Sequence, residues 1–248
     1  MSRTFAPDGF AADARIILRM LRGIPRRGTH AQRLEAFYAP QAGDYDRFRE
    51  RLLRGRRTLM DWLAPRPGER LVELGGGTGR NLLYLGDRLA TLGAVEIVDL
   101  CPALLMRARR IADDFPNVRA VEADAVTYRT PEPVDVLYLS YALTMIPDWR
   151  AAIENAVRML KPGGRLGVVD FYVSEHRPPP GAVRHGAFTR HFWPRWFAHD
   201  GVRLSPDHLR CLRTLLPDNR CRESFTSVPY LPGLRVPYYL FVGRKQGG

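Results

Sequence analysis

Apolar and polar positions along the chain switch between two spacings, and the switching predicts strands and helices in regular succession. Leu71-Val-Glu-Leu74 is a short apolar run that ends in Gly75-Gly-Gly-Thr-Gly79, and Asn81–Leu92 then carries apolar residues at helical spacing. Ala94–Val98 reads as a second strand, and a helix begins at Pro102, where proline suits the first turn. A third, short strand lies around Arg119–Val121, and a fourth at Val134–Leu139 is apolar enough to be central. Trp149–Leu160 reads as a helix, Lys161-Pro-Gly-Gly164 stops it, and Arg165–Phe171 is a fifth strand. Two late strands, near Arg222–Val228 and Pro237–Val242, predict a closing hairpin. This alternation implies an α/β fold around a mostly parallel sheet.

Three segments fall outside that rhythm. Residues 174–200 are rich in proline, histidine and aromatics without a clear period, and a stretch this long in a compact domain reads as a functional insertion or lid. Ser205 then reads as the N-cap of a helix through Leu215, with Pro206 at its first position. Between Gln32 and Arg57, two helical pieces flank Pro40 and Gly43, the second running from about Arg47 towards Leu63. Such a segment ahead of the first strand can lie across the carboxyl edge of the sheet as a lid, with Tyr38 and Tyr45 facing a ligand or else serving as ordinary core or surface residues. The first thirty residues form a basic extension to the domain of residues 31–248. Within it, Ile16, Ile17, Met20, Leu21 and Ile24 alternate with Arg15, Arg19 and Arg22, a helix that either lies on an anionic membrane or packs its stripe on the domain.

Composition changes the picture in two ways. The 248 residues carry a net charge of +12 with only two lysines, Lys161 and Lys245. Guanidinium groups in that excess attract dense phosphate, so nucleic acid and an anionic membrane surface are both partner classes. The three cysteines, Cys101, Cys211 and Cys221, have no metal-site or disulfide spacing, so they read as reduced and structural, with no metal expected. No apolar run is long enough to span a bilayer and no secretory leader is apparent, which places the expected protein in the cytoplasm.

The glycine turn carries the first chemistry. Without Cβ atoms, Gly75, Gly77 and Gly79 let the backbone turn sharply and approach a ligand at the next helix's unpaired N–H groups. Asp99 lies 20 residues beyond Gly79, at the end of the second strand beside Leu100. A carboxylate there can accept both ribose hydroxyls of an adenosine ligand. Asp124, after the third strand, is placed for an adenine amino group, with Ala125 stacking nearby. Ser140 and Tyr141, past the fourth strand, line the expected crevice. Glu73 sits inside the first strand, a placement common in S-adenosylmethionine (SAM) methyltransferases and unusual in dinucleotide dehydrogenases.

Glu73-Leu-Gly-Gly-Gly-Thr-Gly79, Asp99, Ala123-Asp124, the fourth-strand run and Leu160-Lys-Pro-Gly-Gly164 together resemble class I SAM-dependent methyltransferases over about residues 45–245. The resemblance implies a Rossmann-like, seven-stranded, mostly parallel sheet with helices on both faces and an N-terminal helical lid. It also implies SAM as cofactor and S-adenosylhomocysteine as product, with Tyr45, Glu73, Gly75, Gly77, Gly79, Asp99, Leu100, Asp124, Ala125 and Ser140 as cofactor residues. More narrowly, Phe37-Tyr-x7-Tyr45-Asp-x-Phe48-Arg, Leu139–Trp149 and Trp193–Leu209 resemble the BtaB-type diacylglyceryl-homoserine N-methyltransferases of betaine-lipid synthesis. That resemblance implies trimethylation of the homoserine amine and a location at the cytoplasmic face of a membrane. It also implies a separate aminocarboxypropyl transferase that makes the substrate. Tyr45, Tyr141 and His199 are then candidate catalytic residues, and Tyr38, Trp193, Arg195 and Trp196 candidate substrate residues. Aromatic faces suit the fixed cation formed as methyls accumulate. Tyr45-Asp46 also resembles quinone-biosynthesis methyltransferases, so a quinone or other small-molecule acceptor is the alternative. RNA binding is a further alternative, but the arginines are scattered and no RNA-binding module accompanies them, so no nucleic-acid partner is expected.

Overall fold

In a computed structural model of the chain, the structure describes residues 25, 27–39, 52–228, 231 and 233–247. The expected basic helix of residues 11–24, Tyr45, Asp46 and the start of the helix at Arg47 lie outside the described residues.

Seven strands form one sheet: β1 (Arg70–Leu74), β2 (Ala94–Asp99), β3 (Val118–Glu122), β4 (Val134–Ser140), β5 (Leu160–Phe171), β6 (Asn219–Ser227) and β7 (Arg235–Arg244), in the order β3-β2-β1-β4-β5-β7-β6. The first five run parallel, while β7 inserts antiparallel between β5 and β6. The chain builds outward from β1 to β3 and then returns to place β4 on the other side of β1. The order therefore reverses between β1 and β4, and a crevice opens at their carboxyl ends.

Both sheet faces are covered because strand residues alternate. Leu71, Val136, Tyr138 and Val169 face one cluster, which takes in α2 (Arg56–Leu63), α3 (Pro102–Asp114) and α5 (Ala187–Ala198). Val72, Leu74, Leu137 and Val168 face the other, which takes in α4 (Trp149–Met159) and α6 (Asp207–Leu215). Helix α1 (His30–Tyr38) is not part of either layer. Thr29 caps it through a reciprocal exchange with Gln32, and Glu35 ties it to the start of α3, accepting from Cys101 Sγ at 3.0 Å and Ala103 N at 3.2 Å. A carboxylate at that position also meets the positive end of the α3 dipole.

Five local expectations need correction. Strand β5 begins at Leu160, so Lys161–Gly164, expected as a turn, lies within the strand as an irregularity in its pairing with β4. The segment after the glycine turn is a 3₁₀ helix, Arg80–Thr91, interrupted at Gly86, whose backbone is not helical. The helix expected to run continuously into Leu63 begins at Arg56, because Gly55 at φ 83° makes a left-handed turn just before it. Pro206 lies ahead of α6, which begins at Asp207; Ser205 Oγ accepts from Asp207 N at 3.1 Å, one register away from a helix starting at the proline. The irregular stretch of residues 174–200 contains the twelve-residue helix α5 despite Pro194 in its interior. Pro194 removes one helical hydrogen bond, and burial of Trp193 and Phe197 against the sheet holds the helix nonetheless. Among the described residues, no helix is long and apolar enough to cross a membrane.

Candidate active site

A cavity of about 290 Å³ opens where the strand order reverses. Its floor is the end of β1, where Gly75 and Gly76 both donate to Val98 O, at 2.8 and 3.1 Å. Gly75 has a φ of 69°, and a Cβ there would sit 2.5 Å from Ala142 Cβ, so only glycine lets the segment after β4 come this close. Gly79 serves packing instead: its Cβ would meet Ile97 Cδ1 at 2.6 Å.

Asp99 ends β2 with both carboxylate oxygens anchored, Oδ2 accepting from Gly77 N at 2.8 Å and Oδ1 from Cys101 N at 2.9 Å. The two backbone donors fix the orientation of the carboxylate, which lines the cavity. Asp124 is held in the same manner, Oδ1 accepting from Val126 N at 2.8 Å. Leu100 and Ala125 line the same cavity.

The other end of the cavity is apolar. Tyr141, Ala142, Met145 and Ile146 line it, followed by Pro147 and Asp148. Tyr141 is a non-glycine residue at φ 55°, a conformation that is retained only where its surroundings hold it. Here Tyr141 N donates to Val169 O at 2.7 Å, its hydroxyl donates to Arg54 O at 2.7 Å, and its ring lies 4.7 Å from that of Phe171. The turn at Leu143–Met145 is fastened by buried Asp170, which accepts from Thr144 N at 3.1 Å and Thr144 Oγ1 at 2.8 Å. Burial pushes the Asp170 carboxyl up to about 7. His30, Leu34 and Tyr38 of α1 form the roof, and burial, then Arg33, lowers the His30 pKa from its ordinary value.

The remaining candidates lie elsewhere. Glu73 is fully buried beneath the glycine turn, accepting from Asn81 Nδ2 at 2.6 Å and from the Tyr138 hydroxyl at 2.8 Å. Ser140 is buried and does not line the cavity, because the sharp turn at Tyr141 carries the next side chain in and leaves Ser140 among the strands. Trp193 is 1% exposed and donates Nε1 to Arg235 O at 3.0 Å, so it is a core residue of α5 and not a cavity wall. Arg195 and His199 are on the exposed side of the same helix, and Trp196 stacks on Phe192. An α-helical path through residues 187–198 turns these side chains away from the crevice, a direction that an irregular loop does not impose. His208 is also buried, its ring 4.6 Å from that of Trp149, and burial lowers its pKa to about 4.

The sequence points to neither His30 nor Leu34, and it includes Met145 and Asp148 in the Leu139–Trp149 motif without marking them as site residues. Met145 and Asp148 lie just past Tyr141, so proximity to the fourth strand's end was an available signal. For His30 and Leu34 only the docking of α1 brings them in.

Residues 71–164 match the model of a family described as a methyltransferase domain. The ubiquinone/menaquinone biosynthesis C-methyltransferase UbiE of Roseobacter denitrificans is 28% identical over 158 residues, covering 58% of this chain and 61% of that protein. The match thus reaches less than two thirds of that relative's length. The 2-phytyl-1,4-naphtoquinone methyltransferase of Thermosynechococcus vestitus is 28% identical over 186 residues, covering 71% of this chain and 80% of its own. Among solved structures, phosphoethanolamine N-methyltransferase 2 of Haemonchus contortus in complex with S-adenosyl-L-methionine has the same fold. Its TM-score is 0.69 at 14% identity, covering 90% of this chain and 61% of that one. These relatives support the superfamily resemblance and not the narrower betaine-lipid one. Residues 71–164 are thus similar to a methyltransferase domain, and the seven-stranded sheet that carries them has the fold of solved methyltransferases.

Proposed function

We propose that the protein binds SAM in the cavity between β1, β2 and β4 and transfers its methyl group to a lipophilic small-molecule acceptor, with a quinone-type ring as first choice. The observation that carries this reading is the single cavity joining Asp99, Asp124 and the Gly75 turn to the apolar wall of Tyr141, Met145 and Ile146. Asp99 accepts the ribose hydroxyls and Asp124 the adenine amino group. The carboxylates of Asp99, Asp124 and Asp148, with no arginine or lysine among the described lining residues, suit the sulfonium cation. Tyr141 and Tyr38 orient the acceptor beside the methyl group, since in-line transfer depends on positioning.

Two observations support the quinone-type acceptor. The curated relatives are named as quinone methyltransferases. The described lining also offers no arginine or lysine for a homoserine carboxylate, and Arg195, the residue expected to meet it, is on the exposed side of α5. Diacylglyceryl-homoserine is the second reading, favoured by the resemblance of Leu139–Trp149, whose Tyr141–Asp148 portion lines the cavity.

Calorimetry with SAM, followed by transfer of labelled methyl to demethylated quinols and to diacylglyceryl-homoserine, tests both levels. Labelled quinol supports the first reading, and labelled lipid head group replaces it with the second. Absence of SAM binding by folded protein would overturn both.

A further inference from the structure

A long stretch of this chain without an acidic side chain surrounds α5. From His176 to His199 there is no aspartate or glutamate, while Arg177, Arg184, Arg190 and Arg195 and four of the six histidines fall there. None of these four arginines forms an ion pair among the described residues, and Arg190 Nε and Nη1 have no acceptor. The carboxylate that follows, Asp200, is buried, so it does not neutralise the surface.

Through this cationic field runs a ladder of rings, exposed at Phe188 and half-buried at Phe192 and Trp196. Phe188 is 60% exposed and stacks on Phe192 at 4.9 Å, which stacks on Trp196 at 5.7 Å, one helical turn apart at each step. Phe192 also meets the buried Trp193 at 4.9 Å, and from Trp193 the rings of Phe197, Phe171 and Tyr141 continue to the cavity wall at 5.6, 5.1 and 4.7 Å. A rigid aromatic edge flanked by guanidinium groups that form no ion pair, with Arg184 and Arg195 exposed, matches a bilayer interface, where rings enter the acyl boundary and arginines meet lipid phosphate.

We infer that α5 is the surface by which this protein docks on an anionic membrane, inserting Phe188 and Trp196 with Arg184 and Arg195 against lipid phosphates. The inference goes beyond methyl transfer and is tested without cofactor or acceptor, so either can fail alone. It locates the docking face beside the crevice, on an element separate from the basic N-terminal segment. Net charge alone supplies attraction but no depth of insertion; the stacked rings supply it.

The test is flotation of the full chain with vesicles of phosphatidylcholine, alone or containing about one third phosphatidylglycerol, an anionic lipid that draws basic residues to the surface. Binding is expected on the anionic vesicles only. Phe188→Ser with Trp196→Ser should weaken it by roughly tenfold or more, as expected for two rings withdrawn from an apolar phase, and Arg184→Gln with Arg195→Gln should weaken it less. Circular dichroism and thermal melting check that the fold is kept, above all for the half-buried Trp196. Should the serine pair not fold, lipid brominated in its acyl chains gives the same answer: it should quench tryptophan fluorescence, and Trp196→Phe should remove most of that quenching. Undiminished binding by both pairs, quenching unchanged in Trp196→Phe, or concentration-dependent dimerisation abolished by Phe188→Ser without vesicle binding would each overturn the proposal. So would RNA binding that both pairs weaken while vesicles are ignored.

Discussion

The strand-end part of the cavity and the aromatic stretch of residues 174–209 are built from different materials. Around Gly75, Asp99 and Asp124 the geometry is made by strand ends and backbone N–H groups, so each side chain's position follows from its place just after a strand. Around α5 the geometry is made by rings packed on rings, with Trp193 and Phe197 buried and Phe188 exposed on one helix. In the first region a residue type at a sequence position largely specifies a role. In the second, identical residue types on one helix take opposite roles, Phe197 as core wedge and Phe188 as surface contact.

The largest expected effect separates the two regions most sharply. Trp193→Ala should cost about 3–5 kcal/mol of stability in denaturant unfolding, as for other buried aromatics, while the folded protein binds SAM as before. Loss of SAM affinity without loss of stability would return Trp193 to the site. Gly75→Val acts in the other sense: a φ of 69° and a Cβ 2.5 Å from Ala142 Cβ cannot both be accommodated. It should abolish SAM binding in calorimetry and lower stability by roughly 1–3 kcal/mol, the range for strained backbone and overpacking. Asp99→Ala should weaken SAM binding by about 1.5–3 kcal/mol, the scale of charged hydrogen bonds, with little change in melting temperature. Unchanged affinity would remove the carboxylate from the ribose.

Titration sharpens the contrast further. Burial raises the Asp200 carboxyl to about 7 and lowers the His208 imidazole to about 4. Because the Asp200 pKa is raised, its contribution to stability is present below the ordinary carboxylate value and is lost as pH rises through about 7. His208 has the opposite sign, contributing above the ordinary histidine value and losing that contribution as pH falls through about 4. Melting temperature against pH should therefore drop on the acid side in the wild type, and Asp200→Asn should flatten the neutral side, gaining most at pH 8. The smallest effect belongs to His199→Ala: on an exposed position away from the cavity, stability should change by no more than about 0.5 kcal/mol and the methyl-transfer rate should be unchanged. A large rate loss there would restore His199 as a base.

The uneven legibility of the chain follows from the same difference. Strand period, glycine turn and terminal aspartates are short-range signals: Leu71–Leu74, Ala94–Asp99 and Val134–Ser140 appear within a residue or two of where their patterns put them. Tyr141 was also legible, since any side chain just past a central strand faces the crevice. The 3₁₀ segment after the glycine turn was not, because its break depends on the backbone angles of Gly86 and not on its apolar spacing. Helix α5 was not legible either, because Pro194 and a mixture of rings and cations give no dominant period, and the energy that keeps it helical is tertiary. His30 and Leu34 enter the site only because Glu35 clamps α1 onto the start of α3, a contact between residues 66 and 68 positions apart.

By itself the sequence determined the strand-and-helix succession, the glycine turn and the two aspartates at strand ends, since local period and backbone freedom suffice for each. Which side chains meet in one cavity was decided only by the tertiary structure. The strand order had to reverse between β1 and β4 before Gly75 and Ala142 could touch, and α1 had to dock before the cavity had a roof. Packing across the sheet also decided that Trp193 is core while Phe188 is surface, because burial depends on what covers a helix face and not on which residues compose it.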